Sequence, residues 1–239
     1  MSVLFFFVIA LLSEVIGTVA GFGSSVFFVP LAGLFLDFHS VLMLTSILHV
    51  FSNAAKLILF GRHVRLRLLL LFGVPSVCLV ILGAYLSARL QFKITELLLG
   101  LFLISFSLFL FLRPLTRLSP RPWNAISAGG LAGFLAGLIG TGGAIRGLAL
   151  AAFDLEKGNF VATSAAIDSG VDFCRMLVYM QNGFLKSEFY WYIPGLLAMA
   201  FVGSYLGKLD QKNFRRIVLL LIFLIGIVTL GRFLRQLGM

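Results

Sequence analysis

Apolar residues run along this chain in long blocks, separated by short polar and mostly basic clusters. Six blocks, at about 41–60, 68–87, 97–112, 160–180, 190–207 and 217–234, match the roughly 20 apolar residues a helix needs to cross a hydrocarbon core of about 30 Å. Two further blocks, about 3–36 and 124–153, are too long, since each would extend on the order of 45–50 Å as one straight helix. Both are interrupted by glycine, at Gly21-Phe22-Gly23-Ser24-Ser25 and at Gly140-Thr141-Gly142-Gly143. The pattern predicts helix, break, shorter helix in each, either as a re-entrant hairpin or as a bent pair of crossings. The expected fold class is an all-α polytopic membrane protein.

The order of blocks is the same in both halves of the chain. A shift of 119 residues superposes Gly21 on Gly140, Gly23 on Gly142, Thr45 on Ser164, His49 on Asp168, Asn53 on Asp172, Lys56 on Arg175 and Pro75 on Pro194. With a one-residue slip, Gly83-Ala84-Tyr85-Leu86 falls on Gly203-Ser204-Tyr205-Leu206. Apolar matches would carry little weight in so biased a sequence, but these are glycine, proline and polar matches. The expected organisation is a first repeat at 1–113, a connecting loop at 114–122 and a second repeat at 123–239. Each repeat holds one glycine-broken segment and three transmembrane helices.

Composition agrees with a lipid solvent. Of 239 residues, 60% are hydrophobic and 12% charged, against about 45–50% and 25% in soluble domains. The net charge of +10 does not point to nucleic acid, because the basic residues punctuate apolar runs instead of clustering on one face. They act as topology signals. If each broken segment crosses once, the two sides collect nine and seven Lys/Arg; if each returns to its starting side, they collect eleven and five. The second arrangement obeys the positive-inside rule better, making the halves inverted repeats with both termini outside the cytoplasm. Cys78 and Cys174 sit singly in different apolar stretches, which supports neither disulfide exchange nor a thiolate metal site. No basic region precedes the first apolar run, so no cleavable signal peptide is expected.

Two features carry candidate chemistry. The half-helix after each glycine break presents unpaired N–H groups and a partial positive charge, a ready anion site. The residues are Gly21, Gly23, Ser24 and Ser25 in the first half, and Gly140, Thr141, Gly142 and Gly143 in the second. Glycines can also serve only close packing, which is the reading for Gly129, Gly133 and Gly137 at spacing four. The second feature is a polar stripe: Thr45, His49, Asn53 and Lys56 share one helical face, and Ser164, Asp168, Asp172 and Arg175 repeat the spacing. Ionisable groups facing lipid cost at least about 2.5–3.5 kcal/mol each, so these should face the bundle interior or a water-filled path. Structural alternatives stay open: Asp172 and Arg175 neutralising each other, and Lys56 snorkelling towards Arg62. Arg146, matched by Phe27 at the repeat offset, suits an oxoanion, or pairs with Asp168, Asp172 or Glu14. Glu14, within the first helix, is either a proton carrier or a neutral buried acid. His39, His63 and the aromatics Tyr85, Tyr205, Trp123, Trp191 and Tyr192 need no functional role.

A nucleophile, base and orienter cannot be assembled from these residues, so no enzyme is expected, and neither is a cofactor. A metal site from His49, Asp168 and Asp172 rests on thin evidence. The run Gly-Phe-Gly-Ser-Ser-Val-Phe-Phe-Val-Pro at 21–30, Thr-Ser at 45–46 and 163–164, Gly-Thr-Gly-Gly at 140–143 and the twin Gly-x-Tyr-Leu resemble the sulfite exporter TauE/SafE family, also called the toluene-sulfonate uptake permeases. The resemblance implies a multi-pass transporter of sulfite, sulfonates, sulfoacetate or related anions, coupled to protons. It carries over only the two glycine motifs as the core of a site, and Ser24-Ser25 and the nearby Arg146 depart from the family pattern. The leading expectation is a secondary transporter that binds a small sulfur oxoanion mid-membrane between the glycine breaks. Arg146, Arg175 or Lys56 would hold the anion, while Asp168 or Asp172, with His49, Glu14 or Asn53 beside them, would handle the proton. The runners-up are a cation or metal carrier using Asp168 and Asp172, and a non-transporting membrane subunit. Expected partners are the small anion, protons and the lipid bilayer, with homo-oligomerisation allowed, in a bacterial inner membrane.

Overall fold

The computed structural model describes residues 3–20, 23–112 and 119–207, together with Ile227 and Gly231. Gly21, most of the 114–122 loop and almost all of the 217–234 block lie outside the described residues. Within them the regular structure is entirely helical: α1 (Val3–Ala20), α2 (Ser25–Gly33), α3 (Phe38–Phe60), α4 (Leu66–Arg89), α5 (Phe92–Leu112), α6 (Pro122–Ile139), α7 (Gly143–Ala151), α8 (Lys157–Gln181) and α9 (Tyr192–Leu206). Moving α1 by 119 residues reproduces both bounds of α6, and moving α3 reproduces the start of α8.

Polarity runs opposite to that of a soluble protein. Ile58 (75% exposed) and Phe111 (66%) face outwards, while Glu14 and Thr163 are fully buried. Among the described residues, α3, α4, α5 and α6 are long and apolar enough to cross a membrane, and α1 and α9 are shorter apolar helices. The 160–180 block is not one of these apolar spans. It forms the 25-residue α8, whose Asp168, Asp172 and Arg175 interrupt the apolar pattern. Asp172 and Arg175 are buried, because the stripe points into the bundle, where each charge finds a partner.

The glycine-broken segments are helical hairpins. α2 returns along α1, so that Phe28 packs on Phe6 with ring centroids 5.4 Å apart and Phe35 on Phe5 at 5.5 Å. The turn is tight because Gly17 lies against the Ser24 backbone, where no Cβ fits. In the second hairpin Gly142 lies against the Ala132 carbonyl, again with no room for a Cβ. Its arms finish together, since Pro122 at the start of α6 and Phe153 just after α7 line one cavity. Gly23 (φ +82°) and Gly140 (φ +80°) adopt the left-handed conformation that the reversals need.

Straight helices hold the hairpins. α4 runs alongside α6 in parallel, with Gly129 against Phe72, Gly133 against Ser76 and Gly137 against Val80. Backbones approach closely enough for Ser76 Oγ to donate to the Gly129 carbonyl at 2.7 Å, which is the packing role expected of these three glycines. α9 runs alongside α1 in the same sense, with Gly195, Gly203 and Gly207 against Phe7, Glu14 and Thr18. Between these pairs α3 and α8 cross antiparallel, from Ser40 beside Phe184 at one end to Arg65 beside Thr163 at the other. The first hairpin opens at the end where α3 begins, with Phe6 4.7 Å from Tyr192. The second opens at the opposite end, beside the start of α4.

Candidate functional site

The two hairpin tips meet inside the bundle. Ser25 Oγ donates to Thr141 Oγ1 at 3.4 Å, and a Cβ on Gly23 would lie 3.9 Å from the Gly143 Cα. Around this contact is a cavity of about 20 Å³, walled by Gly23, Ser25, His49, Arg146, Asp168 and Asp172 among others. A neighbouring cavity of about 50 Å³ shares Gly23, Arg146 and Asp168 and adds Asn53, Lys56 and Ser164. The first volume is about that of one or two water-sized spheres, so the tips are closed on each other.

Among the described residues, three carboxylates and three permanent cations surround the tips, and each carboxylate has its own cation. Glu14 Oε1 accepts from Lys56 Nζ at 2.9 Å. Asp168 pairs with Arg146, whose Nε also donates to Ser164 Oγ at 3.2 Å. Asp172 Oδ1 pairs with Arg175 Nη2 at 2.8 Å, one turn along α8. Pairing of this kind is what makes buried charge tolerable in a medium of low polarity. Of the alternatives open for Lys56, snorkelling towards Arg62 gives way to an ion pair, because Glu14 on α1 reaches it across the bundle.

Hydroxyls and His49 join the Glu14 and Asp172 pairs into one network. Glu14 also accepts from Ser24 Oγ at 2.6 Å, from Thr18 Oγ1 and Ser204 Oγ at 3.2 Å each, and from Ser52 Oγ. Ser24 Oγ lies 2.8 Å from His49 Nε2, and His49 Nδ1 lies 3.4 Å from Asp172 Oδ2. Asn53 Nδ2 donates to the same Asp172 oxygen at 2.7 Å. Ser24 spends its only proton on Glu14, so it accepts from His49 Nε2–H. A neutral ring then has no proton left for Asp172, whereas an imidazolium donates to both neighbours.

Arg175 is drawn to one side of the site. Its Nη1 donates to the Ala136 and Gly140 carbonyls at 3.1 and 2.9 Å, and Tyr179 Oη donates to Gly137 O at 2.6 Å. These groups complete the exposed carbonyls at the C-terminal end of α6, where cations are favoured. Sequence reasoning missed Tyr179, Ser52 and Thr18. Ser52 had a readable signal, lying on the α3 face between His49 and Lys56. Conversely Thr45 leaves the stripe, turning its hydroxyl to the Val41 carbonyl of its own helix at 2.7 Å. His39 stacks on Phe184 and His63 sits by the Phe60 carbonyl, both away from the tips. Among the described residues no group of three or more His, Cys, Asp or Glu side chains gathers to hold a metal.

The geometry of two hairpins meeting mid-bundle can be set beside known proteins. The family model of the sulfite exporter TauE/SafE matches residues 6–229, nearly the whole chain. The chain belongs to the TauE/SafE family. It is therefore a member of a transporter family of sulfite-exporter type, and its apolar helices make it an integral, multi-pass membrane protein. No curated protein and no solved structure matches it. Both glycine breaks of this TauE/SafE protein, and all six charged residues around them, fall inside the matched span.

Proposed function

We propose that this protein is a proton-coupled secondary transporter of a small sulfur-containing oxoanion of the sulfite, sulfonate or sulfoacetate class, bound where the hairpin tips meet. The observation that carries this reading is the charge balance there: Glu14, Asp168 and Asp172 are matched one for one by Lys56, Arg146 and Arg175. A site that is already neutral takes on a monoanion at low cost only if a positive charge arrives with it. His49 is the group placed to supply it, standing between Ser24 and Asp172, where a protonated ring would donate to both. Loading one proton on His49 and one monovalent anion, such as hydrogensulfite or a simple sulfonate, between Gly23-Ser24-Ser25 and Gly142-Gly143 keeps the site neutral, and a dianion such as sulfoacetate would need a second proton. Arg146 is the cation best placed to turn from Asp168 to the anion, since it borders both cavities. Asp168 and Asp172 each face a guanidinium, which gives no support to a cation carrier.

We further infer that residues 1–113 and 123–239 are inverted repeats. Hairpins that open at opposite ends support this, as does the arrangement that puts eleven Lys/Arg on one side and five on the other. The basic side is then cytoplasmic. Flux into proteoliposomes tests the function. Sulfite or sulfoacetate uptake should rise with an imposed proton gradient, and His49→Gln should retain anion exchange while losing its response to the gradient. Flux of a metal cation with no sulfur-anion flux at any pH would overturn the reading.

A further inference from the structure

A half-open cavity of about 360 Å³ lies away from the tips, at the end of the bundle where α4 and α6 begin. Its lower wall is apolar, formed by Leu68, Leu71, Phe153 and Leu155, and its rim carries Arg65 and Arg67. Neither arginine is ion-paired to any described carboxylate. Arg65 is oriented instead by the neutral side-chain amide of Asn159, whose oxygen accepts from Nη2 at 3.0 Å in its better-satisfied orientation. Two helix N-termini add positive potential at the rim, because Arg65 caps α4, and Pro120 and Pro122 flank Arg121, the cap of α6.

Depth in the bilayer follows from the same residues. α4 is long and apolar enough to cross a membrane, and α6 runs alongside it in parallel from the same end, so their first turns sit at headgroup level. Trp123, 73% exposed beside Pro122, is the kind of aromatic that marks this boundary. The cavity thus offers two unneutralised guanidinium groups where lipid phosphates lie, above an apolar pocket where acyl chains begin. We propose that it is a binding site for an anionic phospholipid such as phosphatidylglycerol, with the phosphate on Arg65 and Arg67 and the upper acyl chain against Leu71, Phe153 and Leu155. Guanidinium pairs hold phosphate in a two-pronged geometry, and basic pockets between spans suit anionic headgroups. The apolar wall favours lipid over a free anion, which would gain nothing from Leu71 or Phe153.

The test is native mass spectrometry of the full chain in detergent doped with equal amounts of phosphatidylglycerol and phosphatidylcholine. The wild type should retain phosphatidylglycerol at least tenfold over phosphatidylcholine. Arg65→Gln/Arg67→Gln should lose that preference, with its melting temperature in phosphatidylcholine micelles unchanged. Leu155→Trp, which keeps the charge but fills the pocket, should also lose it. Equal retention of both lipids by the wild type, or undiminished preference in Leu155→Trp, would overturn the proposal. Displacement of the lipid by millimolar inorganic phosphate or sulfite would overturn it too, by making the cavity a free-anion site.

Discussion

Asn53 and Asp172 are 119 residues apart and are hydrogen-bonded to each other at 2.7 Å. The interval is the one that lays the first half of the chain on the second. Equivalent residues of two related halves touch only where the axis between them passes, so on the proposed two-fold relation that axis runs through this contact. The pair differs in charge, an amide facing a carboxylate, and identical acids could not share the position without repulsion. Asn53→Ala should leave one oxygen of Asp172 short of a donor and lower stability by about 1–3 kcal/mol. Asn53→Asp should cost more, because two buried carboxylates would then face each other. Unfolding midpoints in detergent would order the variants, and an Asp variant as stable as wild type would contradict the contact.

Glu14 and Lys56 should behave as a unit. Each single neutralisation, Glu14→Gln or Lys56→Met, strands the other charge in the bundle and should cost about 3–5 kcal/mol. The double variant should recover most of that loss, since no unpaired charge remains. A double-mutant cycle read by thermal unfolding measures the coupling, and simple additivity would show that the two do not interact.

The hairpin turns have no space to spare. Gly142→Ala would push a methyl group into the Ala132 carbonyl, and Gly17→Ala into the Ser24 backbone. Both should lower stability by at least about 1–3 kcal/mol, the usual cost of overfilling a packed interior. Gly33→Ala is the control, as a Cβ there meets nothing within 4 Å and helical glycine is less favourable than alanine by up to about 1 kcal/mol. It should be neutral or stabilising, and a loss equal to that of Gly142→Ala would contradict the packing described.

Arg175→Lys should not substitute for arginine. One ammonium cannot span Asp172, Ala136 and Gly140 as the guanidinium fork does. Loss of about 1–3 kcal/mol is expected from the carbonyls left unsatisfied, together with slower anion flux as the α6 end loosens. Unfolding and flux measured on one preparation check this, and wild-type values for both would exclude the capping role.

At the surface, Asp37 supplies a pH-dependent contribution. Burial opposes its ionisation, but the Lys186 ammonium at 2.8 Å and the Ser40 hydrogen bonds outweigh it and hold the carboxyl below its usual range. A depressed carboxyl adds stability above its unfolded value of about 3.9, and the gain disappears as pH falls through the folded value. The ion pair is half-exposed and worth about 0–1 kcal/mol, whereas Asp37 also caps α3. Asp37→Asn should therefore cost only a few tenths of a kcal/mol and flatten the acid limb, while Asp37→Ala should cost about 1 kcal/mol by losing the cap. Melting temperature against pH separates these effects.

Elements set by local pattern were legible in the sequence. The glycine breaks, the shared faces of His49, Asn53 and Lys56, and the packing role of Gly129, Gly133 and Gly137 all follow from spacing along one helix. Partnerships between helices were not. Nothing in the spacing tells that Lys56 meets Glu14, 42 residues away, or that Arg175 closes the end of α6, because those contacts depend on which helices lie side by side. Spacing leaves Lys56, Arg146 and Arg175 open either as holders of an anion or, for the two arginines, as partners of a carboxylate. Their carboxylates were equally visible in the chain, but only packing shows that the two sets cancel.

The arm α2 has nine residues, a length of about 14 Å, less than half of a hydrocarbon core. Its tip rests on residues 141 and 143, which leave the ribosome more than a hundred residues later. The first hairpin therefore has no finished resting place while the chain is still being made. Synthesis of the second hairpin is the event that supplies the partner on which the tip of the first comes to rest.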